Sequence, residues 1–372
     1  MNILRRLPLS RVLLLCGLVV AIGISATALA SALSSGPTPA PKPLAAAVHD
    51  ALAAPAVQGV SASVKLTNHL LEGANLAGGD GEAGQLLSSP LLAGASGRLW
   101  IAADGRARLE LQAEKGDTQI LYDGHTAQLY DASTNTLYRY TLPPRKATDS
   151  SHDEQRAGQS HEVPSLAKIE EAISHVRKHA QVSAATPTDV AGQPAYTVRI
   201  SPRESGSLFG GVELSWDAVH GVPLRAALYS SSSSAPVIEL AATEIAYGPV
   251  DSSVFDFSRP PGVKIHEITR SSGGGTGGAA PSAQDRGKRA KLTTRGHGIT
   301  SIAIIESASS SAADKSGTAG AEELPKVSIN GTSASELATP LGTALSFERS
   351  GVRYLLLGSV APAAIEAVAR GL

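Results

Sequence analysis

Cysteine is almost missing from this chain: Cys16 is the single one in 372 residues, and it lies inside an N-terminal apolar run. The rest of the sequence therefore has no disulfide, no thiolate metal site and no cysteine nucleophile. Aromatic residues make up only 4% of the chain, two of them tryptophans, too few for a platform that stacks bases or sugars. The net charge of −1 recruits neither nucleic acid nor a charged surface by bulk electrostatics. Catalytic signatures are missing as well. There is no G-x-S-x-G elbow and no P-loop, and the glycines of Gly273–Gly278 sit in a Ser/Gly run with no strand before them. What is abundant is aliphatic: hydrophobic residues reach 42%, enough for a core of Leu, Val, Ile and Ala.

The N-terminus has the parts of an export signal in order. Arg5, Arg6 and Arg11 precede the uncharged stretch Val12–Leu33, which ends in small residues, and cleavage near Ala30 or Ala32 fits an A-x-A pattern. The same stretch reaches the roughly 20 residues that span a bilayer. Residues 1–33 thus read either as a cleaved signal peptide or as a retained membrane anchor, and in both cases the body is extracytoplasmic. Leu15 ahead of Cys16, with the apolar run continuing past it, argues against lipidation. Residues 34–43, rich in Pro and Ser, read as a linker that lifts the body off the membrane.

Gly97–Leu142 is the most telling stretch of the body. Leu99 and Ile101 alternate with Arg98 and Trp100, Leu109 and Leu111 alternate with Arg108 and Glu110, and Asp104-Gly105 and Asp123-Gly124 punctuate the runs. A period of two buries one face of a sheet, and Asp-Gly suits tight hairpin turns. An antiparallel meander follows. Val60–Thr67 is an earlier strand, and Ala195–Ser201, Gly211–Trp216, Pro223–Tyr229 and Pro236–Ala246 form a later series. Two helices are expected, over Leu44–Ala54 and over Val163–Ala180. In the second, Leu166, Ile169, Ile173 and Val176 make one apolar stripe. Asn75–Leu87 and Arg145–His161 read as loops, and Ser271–Gly298 as a disordered low-complexity insert. Strands around Thr300–Glu306, Val327–Ile329, Ala344–Glu348 and Val352–Val360, with a helix over Pro362–Leu372, complete the body begun by residues 44–270.

No polar cluster points to chemistry. His175 and His179, with Glu171 before them, have a spacing that holds a metal, but they lie away from the apolar stripe and read as a solvated helix face. His152, Asp153, Glu154 and His161 fall in the polar loop, which cannot preorganise a site. No cofactor and no metal is expected, and no enzyme. What remains is burial of apolar surface. A curved antiparallel sheet with a helix over its open side encloses a cavity, and a cavity lined by aliphatic residues suits an acyl chain, at about 0.8 kcal/mol for each buried CH₂. The alternative is that the protein's own side chains fill the space. The inward positions are Leu99, Ile101, Leu109, Leu111, Ile120 and Leu129 of the meander. Val198, Leu214 and Leu224 come from the later strands, and Ile173 from the helix.

Four segments carry a family resemblance: Leu91–Leu111, Thr118–Pro143, Ala191–Ile200 and Gly221–Tyr229. Asp123-Gly124, Tyr130-Asp131, Asn135, Arg139, Leu142-Pro143, Gly192, Tyr196 and Pro223-Leu224 stand at the matching points, with Gly298–Ser301 and Ser350–Val360 further on. The pattern resembles exported LolA-like proteins of actinobacteria, related in fold to the lipoprotein carrier LolA and the N-terminal domain of the sigma-factor regulator RseB. One departure is His125 and Leu129, where members often carry Trp. The resemblance implies an α+β fold: a strongly curved antiparallel half-barrel capped by the two helices, with an apolar cavity. It implies a partner that is a lipid or the acyl chain of a lipoprotein, bound at the cell envelope without nucleic acid. The alternative is an envelope sensor that contacts a protein partner in a sigma-factor pathway. A structural protein with a filled core and a hydrolase are weaker readings.

Overall fold

The computed structural model describes residues 36–72, 89–114, 116–142, 163–268, 291–308 and 324–372. Segment 12–33, the expected loops 75–87 and 145–161, and the insert up to residue 290 lie outside the described residues. Among the described residues no helix is long and apolar enough to cross a membrane.

The body opens with helix α1 (Leu44–Ala53). Its Ala-rich sequence favours helix, and Pro55 ends it by holding Ala54 extended (φ −59°, ψ 140°). Strand β1 (Gly59–Asn68) and the short helix α2 (Pro90–Ala93) follow. The meander then forms as five strands: β2 (Ala95–Ala102), β3 (Ala107–Ala113), β4 (Gly116–Tyr122), β5 (Thr126–Asp131) and β6 (Thr136–Thr141). Helix α3 (Leu166–Arg177) leads to β7 (Ala180–Val182), β8 (Thr186–Val190), β9 (Gln193–Pro202), β10 (Phe209–Asp217), β11 (Pro223–Ser230) and β12 (Pro236–Tyr247). A last strand, β13 (Lys264–Glu267), lies parallel to β6, whereas the other pairs are antiparallel.

These elements make one 13-stranded curved sheet in the order β13-β6-β5-β4-β3-β2-β1-β12-β11-β10-β9-β7, with β8 also on β9. It ends in two edges and does not close into a barrel. Register gives the sheet two distinct faces. Leu129, Ile120, Leu109, Leu99 and Ala62 are successive cross-strand partners, and Leu66, Leu240, Ala226, Leu214 and Val198 continue that row on the far side of β1. This is the apolar face. The opposite face carries Arg225, whose guanidinium is gripped between Glu213 and Glu239. Helices α1 and α3 pack on each other and over the β9–β10 end of the apolar face, burying Leu44, Ala47, Tyr196, Val198 and Trp216. Farther along, Val60, Val64, Leu66, Leu109, Leu111 and Leu240 form a second packed cluster with Leu91 of α2 against it.

The C-terminal strands form a sheet of their own and do not extend the first one. β14 (Lys291–Arg295), β15 (Ile302–Ala308), β16 (Lys326–Ile329), β17 (Thr332–Thr339), β18 (Gly342–Arg349) and β19 (Val352–Gly358) stand in the order β14-β15-β19-β18-β17-β16. Helix α4 (Pro362–Arg370) covers one face, where Ile304, Leu345, Leu356 and Ile365 are fully buried. The two sheets meet at the β9–β10 loop. The Ser207 hydroxyl donates to the Ser359 carbonyl at 3.1 Å, and the Leu208 N–H donates to the same carbonyl at 2.8 Å.

Three expectations need correcting. Residues 291–295 fall in the stretch expected to be disordered, yet they pair with β15 as an edge strand, where Thr293 and Thr294 supply β-branched residues. The apolar stripe of α3 is narrower than expected: Leu166 and Val176 are 46% and 41% exposed, and the helix rests on Ile169 and Ile173. Finally, residues 36–43 are not a free spacer. The Tyr196 hydroxyl donates to the Ala40 carbonyl at 2.5 Å, and Gly36 lies so close to Asp189 that a Cβ there would meet its carboxylate at 2.3 Å.

Candidate functional site

A cavity of about 330 Å³ opens between α1 and the apolar face of the large sheet. Val48, Ala51 and Leu52 of α1 roof it, and Pro55–Val57 form one side. Val60 and Ile101 stand at one end of the floor, with Val198, Leu214 and Trp216 at the other. The turn between β10 and β11 completes the wall with His220, Gly221 and Val222. A smaller hollow of about 210 Å³ lies beside Phe255 and Phe257, bordered by Asp123, Asp256 and Arg259.

The sequence-named residues divide between cavity and core. Ile101, Val198 and Leu214 come together on the cavity floor. Leu109 and Leu111 are buried in the packed cluster beneath α2, with Leu99 and Ile120 packed against it. Leu129 continues that row between Ile120 and Tyr138. Leu224 is buried in β11 at 3% exposure, and Ile173 joins α3 to the α1 cluster. Register puts the strand residues on one face of one sheet, and Ile101, Val198 and Leu214 lie where that face borders the cavity under α1. His175 on α3 and His179 in the turn after it are exposed, their rings 6.2 Å apart, and among the described residues no His/Cys/Asp/Glu group is arranged to hold a metal.

The β10–β11 turn carries the polar chemistry of the cavity. Asp217, the last residue of β10, is fully buried. Its Oδ1 accepts from the backbone N–H groups of Val219 at 2.7 Å and His220 at 2.8 Å. Its Oδ2 accepts from the Tyr247 hydroxyl at 2.6 Å and lies 3.2 Å from His220 Nδ1. Burial pushes the Asp217 carboxyl upward, but the Tyr247 hydroxyl, the two backbone N–H groups and the His220 ring more than offset it and hold the group below its usual range. The His220 ring packs on Tyr247 with centroids 3.9 Å apart. Burial and the neighbouring Asp217 carboxylate raise the Tyr247 hydroxyl well above the ordinary phenol range, so it stays a proton donor.

Gly221 fixes the roof. It takes φ +65°, a left-handed conformation that favours glycine, and a Cβ there would lie 2.1 Å from the Ala51 carbonyl oxygen of α1. Only a residue without a side chain lets the turn touch the helix backbone. Trp216 stacks at a tilt on Tyr196, centroids 6.1 Å apart, and its buried indole N–H has no hydrogen-bond partner among the described residues. Asp217–Gly221 falls between the strands expected over Gly211–Trp216 and Pro223–Tyr229, and the sequence expectations give it no place in a cavity. The available signal was the D-x-x-H spacing, in which an Asp folds a turn back onto the residues two and three positions later.

No family model matches the chain, and no curated protein matches it. Among solved structures, it is similar to a chain of the Pseudomonas aeruginosa MucA/MucB complex at 13% identity and a TM-score of 0.42, covering 87% of this chain and 95% of that one. It is similar to MucB alone at 13% identity and a TM-score of 0.40, over 87% and 94% of the two chains. A LolA superfamily protein from Nitrosomonas europaea is similar at 10% identity and a TM-score of 0.22, over 58% of this chain and 98% of that one.

Proposed function

We propose that this protein is a non-enzymatic component of the cell envelope whose cavity under α1 holds an acyl chain, borne by a lipid or by a lipid-modified polypeptide. The observation that carries this reading is the cavity wall. Apart from His220 and the indole nitrogen of Trp216, every side chain lining it is apolar. Its volume lies at the lower end of small-molecule pockets, about 300–1,000 Å³, which suits one chain and not several. At about 0.8 kcal/mol for each buried CH₂, burial alone holds such a chain without a charged partner. The export signal and the sequence resemblance support an extracytoplasmic setting, with membrane attachment through residues 12–33 if that segment is retained.

The test is extraction of the purified exported protein with organic solvent, followed by mass spectrometry of the extract and titration with a fluorescent acyl probe. Bound lipid or saturable probe uptake is expected. The Ala51→Trp variant, which fills the cavity from its roof, should weaken uptake at least tenfold with an unchanged circular-dichroism spectrum. A wild-type protein that carries no lipid and takes up no probe would sink the reading.

A second reading, an interaction module for an envelope protein, is favoured by the C-terminal sheet. Leu292 and Leu357 are 66% and 40% exposed there, and their register places them on the face away from α4. Capture of a defined membrane-spanning partner by lipid-free protein, lost on Leu357→Asp, would favour it.

A further inference from the structure

We infer that the cavity selects an uncharged, hydroxyl-bearing head group, whose O–H donates to Nε2 of His220, and disfavours the anion of a fatty acid. This rests on the reading of the cavity as an acyl-chain site and concerns what stands at the polar end of the chain.

Two observations lead there. First, the lining holds no lysine, no arginine and no acid, so His220 is its one ionisable side chain. A carboxylate entering this space finds no lysine or arginine to pair with among the lining residues, and burying an unpaired charge is far costlier than burying a hydroxyl. Second, the orientation of the imidazole is set from behind. Nδ1 lies 3.2 Å from Asp217 Oδ2, a carboxylate held ionised by the Tyr247 hydroxyl and two backbone N–H groups. An ionised partner accepts only, so the neutral ring carries its proton on Nδ1 and leaves the Nε2 lone pair as an acceptor. Nε2 has no protein partner among the described residues, and the side chain is 35% exposed although its other nitrogen is engaged. An acceptor at the edge of an apolar cavity calls for a donor. An ester or ether oxygen cannot supply one, and a carboxylate would set lone pair against lone pair with the Asp217 charge one ring away.

The head group is thus that of a long-chain alcohol or of a glycerol-type lipid with a free hydroxyl. Calorimetric titration of the full chain at pH 8 with decanol, decanoate and decyl methyl ether separates the possibilities. Decanol should bind about tenfold tighter than the ether, the worth of one net hydrogen bond, and decanoate should bind more weakly than either. In His220→Ala the preference should vanish, decanol and the ether binding equally to that variant. The wild-type comparison needs no variant, and a long-range ¹H–¹⁵N spectrum should show the His220 Nε2 resonance moving on addition of decanol but not of the ether. Equal binding of all three ligands, or tighter binding of decanoate, overturns this inference and leaves the acyl-chain reading standing. Absence of binding by all three overturns both.

Discussion

Asp217 shows how one buried carboxylate ties together a turn, a strand and a cavity wall. It accepts from two backbone N–H groups of its own turn and from Tyr247 of β12, so removing it orphans donors from two separate elements. Asp217→Ala should cost about 3 kcal/mol, the range expected when charge-assisted bonds are lost and their donors stay buried. The pH dependence follows from the direction of its shift. The folded carboxyl sits below its usual range, so its contribution is complete above the unfolded value of about 3.9 and is lost as pH falls through the lower folded value. Urea midpoints of wild type and Asp217→Asn should therefore converge between pH 5 and the acid limit, and a gap that stays constant over that range would count against this account. At this scale the sequence was only half legible. Asp217–Gly221 could be read as a turn because Asp and Gly at those positions have local reasons to be there. That His220 faces a cavity depends on α1, more than 160 residues earlier in the chain, and no local signal encodes that.

At the scale of elements, the meander was legible almost strand by strand, because its period of two and its Asp-Gly turns are local properties. The same alternation put Leu99, Ile101, Leu109, Leu111, Ile120 and Leu129 on one face, as register confirms. It could not separate cavity from core, since both look alike from a single strand. Other strands carry little local signal. β7 has three residues, and β8 reads TPTDV. β17 reads TSASELAT and buries little more than Ala334. Asn330-Gly331, both at positive φ, was the hairpin signal ahead of β17. Packing between strands also explains a glycine whose own backbone needs no special freedom. A Cβ at Gly97 would lie 1.8 Å from the Glu110 carbonyl oxygen of β3, so Gly97→Ala must push β2 and β3 apart, at about 3 kcal/mol. Gly124→Ala meets no neighbouring atom and pays only for φ +99°, about 1 kcal/mol. Denaturation midpoints of the two variants should fall in that order; the reverse order would mean that the strands part at little cost.

On the scale of the whole molecule, two sheets with separate cores are joined through the β9–β10 loop. Ser207 is central to the joint: its hydroxyl donates to the Ser359 carbonyl and accepts from the Phe209 N–H at 3.1 Å. Ser207→Ala should speed amide exchange at Phe209 and Leu208 at least tenfold while the amides of Leu66 and Leu356, deep in each sheet, keep their rates. Acceleration throughout both sheets would show that the joint is a folding core and not a local clasp. Composition foretold neither the joint nor the division into two sheets, because the strands after residue 290 have the same aliphatic character as those before it.

The seating of residues 36–43 along β8 and β9 has a consequence for reach. Ten extended residues ahead of α1 would give a leash of roughly 33 Å, enough for the body to swing freely above a bilayer. With Ala40 hung on Tyr196 and Gly36 laid against Asp189, most of that leash is already spent on the protein's own surface. A segment 12–33 kept in the membrane would then moor the β8 end of the large sheet within about 10 Å of the lipid. With that segment kept in the membrane, an acyl-chain site of the kind proposed would be a fixed station and not a ferry.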